Sequence, residues 1–120
     1  MGDRRHYAVI DQYNRKLTLK HNDEIIAVSS DALLLKEVGK SVYDPVFYLP
    51  KNDVIKDLKA ETDRKSFCPI KGDASYWNVA DDFTDNYFAW SYEDALLPTK
   101  KIKGYMAFNP EYITFISEPI

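Results

Sequence analysis

Apolar and polar residues alternate at period two through much of the chain, and that alternation predicts strands. Residues 17–20 read Leu-Thr-Leu-Lys, residues 21–23 supply His-Asn-Asp, and residues 24–28 return as Glu-Ile-Ile-Ala-Val. An alternating run, turn chemistry and a second β-branched run predict a hairpin. Ser29, Ser30 and Asp31 interrupt the pattern before residues 32–38, Ala-Leu-Leu-Leu-Lys-Glu-Val. That run is too short for periodicity to separate helix from strand, but Gly39 and the β-rich Ser41-Val42-Tyr43 behind it favour strand. Residues 45–50 are bounded by Pro45 and Pro50, which suits a short or edge strand. One helical signal follows, with Asn52 or Asp53 as cap and Val54, Ile55 and Leu58 on one face, about two turns in all.

Residues 60–65 are charged and loop-like and lead into Ser66-Phe67-Cys68-Pro69-Ile70-Lys71-Gly72, after which Tyr76-Trp77 opens a strand. Residues 78–86, with Asp81 and Asp82 adjacent, predict a solvated turn. Residues 87–92 form the next strand, and residues 93–101 a loop containing Pro98. Residues 102–108 and 112–116 complete the set, joined through Asn109-Pro110. The sum is a mainly β chain: a single compact domain over residues 17–120, a barrel or sandwich of seven or eight short strands with one short helix. Residues 1–16 read as an N-terminal arm or edge strand.

Composition narrows this picture. At 120 residues and 45% hydrophobic content the chain suits one domain that buries about two-thirds of its unfolded surface. A net charge of -3 and pI near 5.3 disfavour a phosphate-backbone surface, so no nucleic-acid partner is expected. No apolar run approaches membrane-spanning length, and residues 7–10 are too short for a signal-peptide core. The expectation is therefore a cytoplasmic protein with no membrane partner. A lone Cys68 allows no internal disulfide, and with only His6 and His21 beside it the sequence offers no structural zinc set. Neither a metal nor a cofactor is expected.

Candidate chemistry centres on Cys68 and Lys71. The ammonium of Lys71 lowers the thiol pKa if it lies close, which would make Cys68 a catalytic nucleophile. The alternative is a small buried hydrophobe beside a loop lysine. No histidine is near in sequence, so a Cys–His pair requires the fold to build it. Lys71-Gly72 lacks the remaining residues of a phosphate loop, yet the lysine still offers a charge to an anion. Tyr48, Tyr76, Trp77, Trp90, Tyr92 and Tyr105 are candidate pocket walls or plain core, some facing the core and others the opposite side. Glu37, in an apolar strand, is either a functional carboxylate or an outward-facing position.

Four segments in order carry a resemblance: residues 45–50 followed by Asp53-Val54; Cys68-Pro69-Ile70-Lys71-Gly72 with Tyr76-Trp77; Ala89-Trp90-Ser91-Tyr92; and Ile102-Lys103-Gly104-Tyr105-Met106-Ala107-Phe108. Over residues 17–108 the chain resembles the domain-of-unknown-function family 427, also labelled a nucleotidyltransferase domain. The resemblance implies a small β-tent fold similar to methionine sulfoxide reductase B and the Mss-four-like proteins, without their zinc cysteines. Ile70 and Leu49 stand where the family often has aromatics, and both remain apolar. Metal-dependent nucleotidyl transfer gathers two or three carboxylates beside a phosphate-cradling loop, and no Gly-Ser element with a spaced acidic pair is present. The leading expectation is a module binding a small polar or anionic ligand through Glu37, Tyr48, Lys71, Tyr76, Trp90, Tyr92 and Tyr105. The alternatives are an enzyme using Cys68 as nucleophile or redox thiol, and a homodimeric interaction domain pairing edge strands.

Overall fold

The computed structural model describes residues 6–79 and 87–120. Among these residues the chain is mainly β, with strands β1 (Tyr7–Gln12), β2 (Lys16–His21), β3 (Glu24–Ser29), β4 (Leu33–Val38), β5 (Val46–Pro50), β6 (Leu58–Ala60), β7 (Ser66–Cys68), β8 (Gly72–Val79), β9 (Ala89–Ser91), β10 (Tyr105–Phe108) and β11 (Thr114–Glu118). The eleven exceed the seven or eight expected because the N-terminal arm supplies β1 and short ladders form at β6 and β7.

The strands form two antiparallel sheets. The long one runs β1-β4-β5-β10-β9-β8-β6, with β7 paired to β8; the short one runs β11-β2-β3. The long sheet is open, so the arrangement is not a closed barrel. The predicted hairpin at residues 17–28 is present as β2 and β3. Its turn residues Asn22 and Asp23 both take positive φ, 49° and 69°, the conformation a two-residue hairpin with native twist requires. The run 33–38 is a strand, as Gly39 and its β-rich sequel suggested.

The predicted two-turn helix is absent. Only a 3-10 turn forms, Lys51–Asp53, with no side-chain cap. Val54 pairs with Ala27 as an isolated bridge, and the N–H groups of Ile55 and Lys56 both reach the Ile26 carbonyl. The β-branched pair Val54-Ile55 thus gains tertiary hydrogen bonds where a short helix would have gained few, since helix nucleation is costly. The predicted loop around Pro98 holds a second 3-10 segment, Leu97–Ile102. The expected turn at Asp81-Asp82 lies outside the described residues.

Register divides the long sheet into two faces, because residues directly opposite across a ladder point the same way. Phe47, Leu49, Trp77, Ala89, Met106 and Phe108 face the short sheet, where they pack with Leu17, Leu19, Ile26, Ala27 and Phe88 in the larger core. Phe88 is fully buried; it meets Phe108 and His21 edge-on and stacks on Tyr112. The other face is a second cluster: Leu33, Leu35, Tyr48, Ala74, Tyr92, Ile102 and Ala107, with Cys68, Tyr76, Trp90 and Tyr105 partly buried against it.

Since Phe88 is a fully buried ring between the two sheets, beside the separate Phe47–Phe115 contact, Phe88→Ala is expected to cost about 3–5 kcal/mol. Urea unfolding followed by tryptophan fluorescence should show the midpoint falling with little change in slope. A loss under about 1 kcal/mol would mean that this ring is not what joins the sheets.

Candidate functional site

The second face of the long sheet gathers most of the candidate residues, and pairing explains how. Leu33 opposes Tyr48, Tyr105 opposes Pro50, Ala107 opposes Trp90 and Trp90 opposes Tyr76. Tyr48, Tyr76, Trp90 and Tyr105 therefore share one face, while Trp77 falls on the other. Tyr92, one residue past β9, is buried in the same cluster. The Trp90 indole N–H donates to the Tyr48 hydroxyl at 3.1 Å, and Ser66 Oγ lies 2.6 Å from the Tyr76 hydroxyl. The Arg64 guanidinium sits over the Tyr76 and Tyr87 rings.

Glu37 is on this face too, opposite Ala8 of β1, and not outward. Lys71 Nζ donates to Glu37 Oε1 at 2.7 Å, and His6 Nε2 donates to Oε2 at 2.6 Å. The Glu37 and Lys71 side chains keep only 11% and 13% of their surface, and His6 keeps 32%. Cys68 completes the group: donor atoms of His6, Glu37 and Cys68 all lie within 4.8 Å of one another. Lys71 also lies 5.2 Å from the centre of the Tyr92 ring.

Local structure holds each member in place. Cys68 ends β7 opposite Gly72, and the Lys71 N–H closes the turn on the Cys68 carbonyl. Gly72 takes φ +99°, and a Cβ there would approach the Leu96 side chain to 3.3 Å, so the turn that presents Lys71 depends on glycine. The Ile70 carbonyl accepts from Thr99 Oγ1, and the Lys71 carbonyl from the Leu96 N–H; the second 3-10 segment thus braces the turn. Gly39, just past β4, makes room for the imidazole, since a Cβ would lie 3.4 Å from His6 Cδ2 and 3.1 Å from the Tyr43 ring.

Electrostatics follow from burial and partners. Burial by itself would push the Glu37 carboxyl up. The hydrogen bonds from Lys71 and His6, reinforced by their charges, outweigh it and hold the group below its usual 4.5. Burial raises the Tyr48 hydroxyl well above its usual 10, only partly offset by the bond from Trp90. Tyr92 is raised likewise, by burial first and then by the neighbouring acidic groups. Both phenols stay neutral and serve as wall and dipole.

Tyr105 belongs to another part of the same face. It lines a cavity of about 260 Å³ with Gln12, Asn14, Asp31, Leu33 and Pro50. Leu33 and Glu37 are four residues apart on β4, which sets the cavity roughly 13 Å from the charged cluster. Cys68, Trp90 and Tyr105 thus share an apolar layer, but the cavity that Tyr105 lines contains neither of the others. His6 is the residue that sequence reasoning passed over. Its only signal was that two histidines exist, and nothing local ties residue 6 to residue 68.

A family model described as a domain of unknown function, DUF427, matches residues 9–118. Glu37, Cys68 and Lys71 lie inside that span and His6 three residues before it. No curated protein matches the chain.

Because Glu37 binds its proton more weakly in the folded chain than in the unfolded one, unfolding takes up a proton below about pH 4.5. Its stabilising contribution is therefore present above that pH and lost as the pH falls through the lowered folded value. Urea unfolding of wild type and Glu37→Gln between pH 7 and pH 3 is expected to show a wild-type advantage that shrinks toward the acid end. An advantage independent of pH would exclude the ionised carboxylate as its source.

Proposed function

The chain belongs to the DUF427 family, and from that starting point we propose that it binds a small polar or anionic molecule at the Glu37–Lys71–His6 cluster, against the rings of Tyr92, Tyr48 and Trp90. The observation that carries this reading is the Glu37–Lys71 pair, its side chains mostly shielded from water at the margin of an otherwise apolar layer. An ion pair in such a place contributes little over packed apolar residues, so stability alone gives no reason for it. Perturbed groups gathered from distant segments are what binding sites need. The spare capacity of the cluster is for acceptors. Both Glu37 oxygens are engaged, while the Lys71 ammonium has three N–H donors and spends one on Glu37.

The nucleotidyltransferase label finds little support in these side chains. Among the described residues the only group of three metal-ligand-type side chains within mutual reach contains a single carboxylate, where two-metal phosphoryl chemistry uses several. Asp81 and Asp82 lie outside the described residues.

A second reading has its own observation. His6 donates through Nε2 to Glu37, which leaves Nδ1 with the lone pair that can take a proton, and Cys68 is within 4.8 Å of the pair. Proton transfer from sulfur to imidazole would leave a thiolate able to attack an electrophile, with Glu37 steadying the imidazolium.

A thermal-shift screen of small anions and polar metabolites tests the first reading. A hit at 100 times its Kd should add about 2.7 kcal/mol and raise Tm by several degrees. That shift is expected to vanish in Lys71→Met and persist in Tyr105→Ala; the opposite pattern would move the site to the cavity at Gln12 and Leu33. For the second reading, alkylation of Cys68 by iodoacetamide should slow at least roughly tenfold in His6→Gln. Equal rates in the two proteins would rule His6 out as the base.

A further inference from the structure

We propose that His6, Glu37 and Cys68 form a binding site for a single divalent transition-metal ion of the zinc class. The fold brings one imidazole nitrogen, one carboxylate oxygen and one sulfur from three separate segments to within 4.8 Å of one another. Metal–donor bonds of about 2.0–2.3 Å place tetrahedral ligands roughly 3.3–3.7 Å apart, so closing this set on an ion takes an adjustment of roughly an ångström. The imidazole, a third exposed and preceding β1, and the Cys68 side chain at the end of a short ladder are placed to make it. Mixed sulfur, nitrogen and oxygen donors select borderline ions such as zinc, cobalt or nickel, whereas magnesium and calcium need oxygen alone.

Lys71 is the group that opposes an ion, and its geometry limits the opposition. It holds Glu37 through Oε1, while Oε2 is the oxygen turned toward His6. The ion would replace the His6–Glu37 hydrogen bond through Oε2, the imidazole proton moving from Nε2 to Nδ1 so that Nε2 has a lone pair to give, and Lys71 would remain on Oε1 as an outer partner that orients the carboxylate. Thiolate and carboxylate together balance the two positive charges of the ion. The ammonium keeps the Tyr92 ring face beside it. The thiol proton leaves to solvent as sulfur binds, so affinity falls with acid. Three protein ligands leave a fourth position open to water or a small anion. This site shares His6 and Glu37 with the ligand reading above, but that reading needs no metal and is screened with a chelator present, so either can fail without the other.

Cobalt(II) titrated anaerobically into the untagged full chain tests the site. The expected result is a thiolate-to-cobalt charge-transfer band that saturates at one equivalent, together with the visible bands of a four-coordinate ion. Cys68→Ser should abolish the charge-transfer band. His6→Gln, at a position before the first strand, should weaken binding by more than the roughly ten- to hundred-fold that loss of an outer partner costs. Circular dichroism and thermal melting of both variants check that they fold. No band in wild type would overturn the proposal. So would a band whose affinity is unchanged in His6→Gln, since that is a thiol binding metal without the site.

Discussion

Register in the eight-stranded sheet is the constraint on which everything else rests. Side chains alternate at a strict period of two, so each cross-strand pair commits whole strands to one face or the other. The pairs Leu33 with Tyr48, Ala107 with Trp90, and Trp90 with Tyr76 send one set of rings away from the short sheet. The alternate residues Phe47, Leu49, Met106, Phe108 and Trp77 go to the inter-sheet core. A one-residue slip anywhere along this path would exchange the two sets and scatter the charged cluster.

The two faces do different work because their occupants differ. The inter-sheet face is aliphatic and aromatic, closed by Leu17, Leu19 and Phe88 at essentially no exposure, and it supplies the apolar burial that drives folding. Among the described residues the opposite face has no second sheet. It is covered by the β7–β8 turn and the 3-10 segment from Leu97 to Ile102. It therefore tolerates polar groups at its margin, where His6 and Lys71 reach Glu37 while remaining near water. Tyr48 and Tyr92 lie deeper and stay neutral, as burial raises both phenols.

The cluster is economical in its connections. Glu37 serves both His6 and Lys71, one through each oxygen, so both side chains depend on a single carboxylate. Gly39 and Gly72 supply the space and the turn that put His6 and Lys71 in reach. A thiol beside an acid-linked imidazole, with a cation resting on a ring, is an arrangement common to small-ligand, thiol and metal chemistry. The three differ in which atom of the same group does the work.

Much of the architecture was legible locally. The alternation in residues 17–28 and the Asn22-Asp23 turn specified a hairpin, and Gly39 behind residues 32–38 specified a strand, because both signals are written within a few residues. The segment at 51–58 forms no helix because its competing partners, the Ile26 carbonyl and Ala27, lie 27 to 30 residues upstream and do not enter a local helix signal. The prominence of Cys68, Lys71 and Glu37 was visible as residue type alone. That Glu37 faces inward, that Tyr105 belongs to a separate cavity, and that His6 closes on Glu37 beside Cys68 were decided by tertiary structure. Strand order and register set those distances across gaps of 31 and 34 residues, and pattern along the chain carries no information about which strand lies next to which.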